Sequence, residues 1–155
     1  MNLSVTHRGT LRVAAAPHHA FQLFTAPGER LWIDDWDPAV LRGADGRAKG
    51  SVFVTRAGGD TAYWVVVDYD EHGLHARYAR IAPGTHAGTV DVLARRDGAG
   101  GTEVEVTYEL TALTDEGNRQ LAAFDARAYA DMLAGWERRI EDADLAYPLP
   151  FAASR

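Results

Sequence analysis

Hydrophobic and polar positions alternate along the first strand-like segment, Leu3 to Val13. Leu3, Val5, His7, Leu11 and Val13 share one parity, and Ser4, Thr6, Arg8, Thr10 and Arg12 take the other. A period of two predicts a strand with one buried face. Pro17 follows where a helix can begin, because its missing N–H has no partner in a first turn. Ala20, Phe21, Leu23 and Phe24 predict a short amphipathic helix stopped by Pro27-Gly28. Glu29–Ile33 predicts a second one, broken by the turn-rich Asp34-Asp35-Trp36-Asp37-Pro38. Residues 38–43, 50–56, 61–70, 74–82, 86–96 and 102–113 then read as six further strands. Separators such as Gly58-Gly59-Asp60, Glu71-His72-Gly73 and Pro83-Gly84 make them a meander of hairpins.

After the last strand the period changes. Leu121, Phe124, Ala128, Met132, Trp136 and Ile140 recur at three- and four-residue steps, with Tyr129 and Leu133 widening the stripe. That spacing predicts one long helix. Thr114 suits its N-cap, and Asp115 and Glu116 suit the positive end of the helix dipole. Residues 1–146 are expected to form one domain, and 147–155, with Pro148 and Pro150, a loosely held tail.

The order is strand, two short helices, six strands and a long helix. A one-sided antiparallel sheet must cover its apolar face, and only the last helix is long enough. The expected fold is therefore α+β, with a curved antiparallel seven-stranded sheet wrapped around the C-terminal helix. Phe124, Ala128 and Met132 are expected to face Val104, Val106 and Tyr108 across the interior. A curved sheet and a straight rod leave a gap between them, and that gap is the expected pocket.

Composition narrows the function. With 155 residues the chain can bury a sizeable core without a metal or disulfide. It has no cysteine, which removes thiol catalysis and thiolate metal sites. The net charge is −6 with no basic stripe, which argues against nucleic acid as a partner. No apolar run reaches the roughly 18 residues of a membrane span. The N-terminus lacks a secretory pattern, so the cytoplasm is the expected location. No cofactor fingerprint or metal-ligand spacing is present. His18 and His19 are adjacent and point apart on a helix, and Asp34, Asp35 and Asp37 have no histidine at ligand spacing.

Several segments resemble the SRPBCC or START-like superfamily, the helix-grip fold of polyketide cyclases, lipid-transfer domains and pollen-allergen-like proteins. They are Val13-Ala14-Ala15-Ala16-Pro17, Leu31-Trp32 with Trp36, Trp64-Val65-Val66-Val67-Asp68-Tyr69-Asp70, and Val104-Glu105-Val106-Thr107-Tyr108-Glu109-Leu110 leading into the helix that carries Trp136. The resemblance implies a cavity for a hydrophobic ligand and names no catalytic residue.

Hairpin register selects the polar groups expected inside. If Glu71-His72 is a two-residue turn, Tyr69 pairs with Leu74, Val67 with Ala76, Val65 with Tyr78 and Tyr63 with Arg80. Paired residues share a face, so Tyr63, Tyr78 and Arg80 are expected to point inward and Asp68, His75 and Arg77 outward. The same parity puts His7, His86 and Tyr108 inside, although a one-residue slip reverses any such assignment. Trp32 and Trp36 could gate the mouth of the pocket or pack beneath the short helices. Three functions follow. The first is binding of a small hydrophobic or aromatic molecule by a monomer or homodimer. The second is a polyketide aromatase/cyclase- or dehydrase-like enzyme using Arg80, His86 or a tyrosine. The third is an interaction module like the chaperone-ATPase activators, with a filled interior.

Overall fold

In the computed structural model, which describes residues 2–57 and 59–152, seven strands form one antiparallel sheet. The strands are β1 (Ser4–Val13), β2 (Ala39–Arg42), β3 (Val52–Ala57), β4 (Asp60–Asp70), β5 (His75–Ala82), β6 (His86–Arg96) and β7 (Thr102–Ala112). Their spatial order is β1-β7-β6-β5-β4-β3-β2, so the last strand returns to pair with the first and the rest is a meander. The strand boundaries lie within two residues of those the alternation predicts. On β7 the inner face carries Val104, Val106, Leu110 and Ala112, all buried, with Tyr108 between them. On the outer face His75 and Arg77 both reach Asp91, at 2.9 and 3.0 Å, as their predicted outward parity requires.

The first short helix begins at Pro17 as predicted, and the second begins three residues before the predicted Glu29. α1 is Pro17–Gln22 and α2 is Ala26–Glu29. Pro27 does not stop a helix. It occupies the first turn of α2, where a proline fits. Thr25 caps that helix: its Oγ1 accepts from the Gly28 N–H at 3.2 Å and donates to the Gln22 carbonyl at 2.7 Å. A Cβ at Gly28 would stand 1.8 Å from that carbonyl oxygen. Only glycine permits the fold-back, and the fold-back aims the next residue, Glu29, into the protein.

The single C-terminal helix of the sequence reading is two helices, α3 (Asp115–Ala123) and α4 (Ala126–Ala143). Thr114 caps α3 as predicted, accepting from the Gly117 N–H at 3.0 Å. The break falls at Phe124, whose φ of −87° and ψ of 65° leave the helical region. Asp125 restarts the chain by accepting from the Ala128 N–H at 2.9 Å. Both features are local polar chemistry superimposed on an unbroken apolar period. The break rotates the buried stripe of α4 to Tyr129, Leu133 and Ile140.

The tail expectation also needs correction. Leu149 is 1% exposed and belongs to the core, and the Arg47 guanidinium lies 4.9 Å from the centre of the Phe151 ring. Residues 153–155 of the predicted tail lie outside the described residues.

Helix α4 packs tightly on the sheet at Gly9, where a Cβ would meet Leu133 Cδ1 at 2.7 Å. Gly135 has no such constraint, since its added Cβ would meet only Arg138 Nη2, at 3.8 Å. Gly135→Ala should therefore stabilise the protein by about 0.5–1 kcal/mol through helix propensity alone. Urea melts of the two proteins check this. A destabilised variant would show that the glycine serves packing.

Candidate functional site

Helix α4 covers part of the inner face of the sheet, and beside it lies a cavity of about 380 Å³. Its walls are Glu29 and Ile33 from the α2 region, Trp36, then Trp64 of β4, Arg80 of β5, His86 of β6, and Tyr108 and Leu110 of β7. Gln120, Leu121 and Phe124 of the α3 end and Met132 and Trp136 of α4 close it. A small inner chamber of about 30 Å³ continues toward Phe24, Phe53, Tyr78 and Val106. Glu29, Trp64, Tyr108 and Trp136 border both spaces.

The walls are rings locked by packing. Trp64 stacks on Phe53 with centroids 5.8 Å apart and meets Trp36 edge-on at 5.7 Å. The Trp64 indole N–H donates to Thr55 Oγ1 at 3.0 Å, and the Trp36 indole N–H donates to the Ala26 carbonyl at 2.9 Å. Tyr78 donates its hydroxyl proton to the Phe24 carbonyl at 2.8 Å. Burial and the nearby Glu29 hold that phenol well above its usual pKa.

Besides Gln120, four polar groups face this apolar space. The Arg80 guanidinium lies 5.4 Å from the centre of the Trp64 ring, a cation–π contact. Its Nη1 donates to His86 Nδ1 at 3.1 Å, which leaves the proton of neutral His86 on Nε2. Burial and then the Arg80 charge depress the His86 pKa, and burial depresses that of Arg80. No carboxylate among the described residues lies within ion-pair distance of Arg80. The Tyr108 hydroxyl and the Glu29 carboxyl have no hydrogen-bond partner among the described residues. Tyr108 is raised above the ordinary tyrosine value by burial first and by Glu29 second, with Arg80 opposing. Desolvation alone pushes the Glu29 pKa up to about 8.

The sequence candidates divide on this geometry. Trp36, Tyr78, Arg80, His86, Tyr108, Phe124 and Met132 border the two spaces. Tyr63 does not: it is 41% exposed on the outer face. Tyr69 pairs with Ala76 and not with the expected Leu74, a two-residue offset that keeps its inward parity, but the ladder shifts between Val66 and Asp68, and beyond that bulge Trp64 pairs with Arg80. One unpaired residue, Val67, moves Tyr63 out and Trp64 in. Trp32 is no gate either. It is 6% exposed, and its indole N–H donates to the Leu23 carbonyl at 2.8 Å. Ala128 is turned off the cavity by the helix break. His7 donates from Nε2 to the Phe124 carbonyl at 2.7 Å and stacks on Tyr129 at 5.1 Å, so it serves the core.

Glu29 and Trp64 are the main residues that sequence reasoning missed. In the sequence Glu29 is only the first residue of an expected short helix, and the Thr25–Gly28 fold-back turns it inward. A separate cleft of about 340 Å³ borders His18, His19, Glu71 and His72 at the β4–β5 turn. Among the described residues no group of three or more His, Asp or Glu could hold a metal ion. No helix among them is long and apolar enough to cross a membrane.

Residues 4–141 match the family described as polyketide cyclase/dehydrase and lipid transport. The chain belongs to this family. No curated protein sequence matches it. Solved structures share the family fold at low identity. Major latex-like protein 151 from Panax ginseng superposes with a TM-score of 0.67 at 16% identity, covering 93% of this chain and 99% of that one. A solution structure of a protein from Thermobifida fusca gives 0.66 at 18% identity, covering 92% and 97%. Norcoclaurine synthase from Thalictrum flavum, in complex with dopamine and hydroxybenzaldehyde, gives 0.64 at 10%, covering 91% and 88%. The curved sheet with its C-terminal helices is thus the fold that these structures share.

Glu29 ties stability to pH. Its folded pKa of about 8 exceeds the ordinary value of 4.5, so the native state holds a proton that the unfolded chain releases. That contribution is fully present below about 4.5 and is lost as pH rises through 8. The carboxyl borders a space that admits water, which discounts the effect to roughly 1–3 kcal/mol. Glu29→Gln should match the wild type in urea melts at pH 5 and exceed it at pH 9. An equal difference at both values would mean that Glu29 ionises normally in the folded protein.

Proposed function

We propose that this protein binds a small aromatic molecule carrying an acidic or phenolic group in the cavity between sheet and α4. The observation that carries this reading is a guanidinium without a carboxylate partner in a ring-walled space of about 380 Å³. That volume falls in the range of small-molecule sites, which are mostly apolar with a few convergent polar groups. A desolvated guanidinium favours a planar anion, because two parallel hydrogen bonds and charge act together. Trp64 and His86 hold the Arg80 head in place, so little rotamer entropy remains to be lost when a ligand arrives. Support also comes from a fold relative that is solved with two small aromatic molecules. An open interior disfavours the interaction-module reading, which needs a filled one.

The second reading is acid–base chemistry of the cyclase or dehydrase kind. The partnerless carboxyl of Glu29 and the free hydroxyl of Tyr108 favour it, since both border the same space as Arg80. Groups with perturbed titration converging in a cleft are the pattern of a catalytic site.

Tryptophan-fluorescence titration with aromatic acids and their amides tests the binding reading. The acid should bind about 10–150-fold more tightly than its amide, the value of one charge-assisted hydrogen bond of roughly 1.5–3 kcal/mol. Arg80→Met should abolish that preference while leaving the amide's affinity nearly unchanged. Acids and amides that bind alike would make Arg80 a wall residue only.

A further inference from the structure

The Glu29 carboxyl stands on the wall shared by the inner chamber and the main cavity, among the rings of Phe24, Trp64, Tyr108 and Trp136. No side chain or backbone group among the described residues pairs with it. Even a half-buried polar group without a partner costs free energy, and an ionised one costs more. Here the fold goes to some length to create that cost. The Thr25 cap and the Gly28 fold-back turn inward a side chain that would be solvated at the end of an ordinary surface helix. Arg80, the natural partner for a carboxylate, is held elsewhere on the wall by Trp64 and His86 and makes no ion pair with it. The cavity therefore carries a cationic point and an acidic one that do not pair, with the Tyr108 hydroxyl, His86 and Gln120 also on its wall.

We propose that Glu29 is a specificity residue for the bound molecule, a carboxylic-acid donor that takes a neutral oxygen acceptor. The cavity then selects aromatic acids with a carbonyl oxygen at a distance from the anionic group, the anion going to Arg80 and the carbonyl to Glu29. This rests on the binding reading above and adds the second half of the ligand. A carboxylic acid satisfies a ligand carbonyl with its one proton, and the ligand repays the desolvation of both. An ionised Glu29 does the reverse: it presents only acceptors to the carbonyl and repels the ligand's charge.

The pH dependence follows from the groups that face the space. Tyr78 and Arg80 come from β5, His86 from β6 and Tyr108 from β7. Between pH 7 and 9.5 both tyrosines keep their protons, since burial raises both. His86 is already neutral, since burial and Arg80 lower it, and arginine stays charged. Glu29, at about 8, is the group that changes.

Isothermal titration calorimetry with two probes of one skeleton tests the proposal. One is 4-oxo-4-phenylbutanoate and the other 4-phenylbutanoate, which lacks only the ketone. At pH 7 the keto acid should bind about 3–10-fold more tightly, the range of one added hydrogen bond. The advantage should vanish at pH 9.5. Glu29→Gln, whose amide N–H donates without titrating, should keep it at both pH values, and Glu29→Leu should show it at neither. If both acids bind wild type equally at pH 7, Glu29 does not read the ligand and this proposal falls, while the Arg80 reading stands. If neither acid binds, the aromatic-acid reading fails and takes this one with it. If tyramine binds more tightly than either acid, and more so at pH 9.5, Glu29 is an anion for amines and the proposal is overturned.

Discussion

One unpaired residue in β4 decides which rings face the interior. The ladder to β5 shifts between Val66 and Asp68, so Val67 has no partner. Side chains alternate with a period of two, and a single extra residue therefore exchanges the two faces of everything beyond it. Below the bulge Tyr69 packs inward against Phe21, at 5.6 Å between ring centres. Beyond it Val66, Trp64 and Ala62 face in, while Tyr63 and Val67 face water. Trp64 then reaches Phe53, Trp36, Tyr78 and the Arg80 guanidinium. Without the bulge a tyrosine would stand in its place, and Arg80 would lose the larger ring face that steadies it. The cavity's aromatic wall and its cation both depend on this irregularity.

The electrostatics of the interior follow from the same arrangement. Arg80 and Glu29 carry opposite formal charge, yet they do not neutralise each other by contact. Tyr108 lies within reach of both fields: Glu29 raises it and Arg80 lowers it. Desolvation is the whole of the Glu29 shift, so the acid responds to its burial and not to a partner. An anion seated on Arg80 would add negative potential to the space and raise the acid further. A bound anion and a protonated Glu29 therefore reinforce each other.

The strands, their order and the superfamily fold are legible in the sequence because alternation and turn residues act locally. Leu3–Val13 and 86–96 show their parity directly, and the inward assignment of His86 follows from it, whereas Tyr78 and Arg80 are inward although their expected partners Val65 and Tyr63 are replaced by Val66 and Trp64. What the sequence hides is non-periodic. The bulge at Val67 lies within a run of three valines whose parity reads equally well either way, so Tyr63 is taken for Trp64. Trp32 and Trp36 look alike in the chain, but the first ends against Leu23 and the second against Ala26, beside the cavity. Glu29 enters through a capped fold-back that depends on contacts between α1 and α2, and no spacing rule anticipates those.

The break at Phe124 shows how local polar chemistry overrides an apolar period. Leu121, Phe124, Ala128 and Met132 would extend one stripe along a continuous helix. Asp125 competes by offering its side chain to the Ala128 N–H, which restarts the helix and frees the preceding carbonyl. His7 of β1 takes that carbonyl. The exchange ties the sheet edge to the hinge between α3 and α4. It also leaves the Phe124 ring half-buried against His7, Tyr108 and Tyr129 at the border of the cavity. A continuous helix would have carried Ala128 onto the sheet and left Tyr129 to its flank. Instead Tyr129 is buried and donates its hydroxyl proton to the Val106 carbonyl, anchoring α4 near β1 and β7. Seated toward that edge of the sheet, the helix leaves space beside Met132 and Trp136, and the two unpartnered polar groups Glu29 and Tyr108 border it.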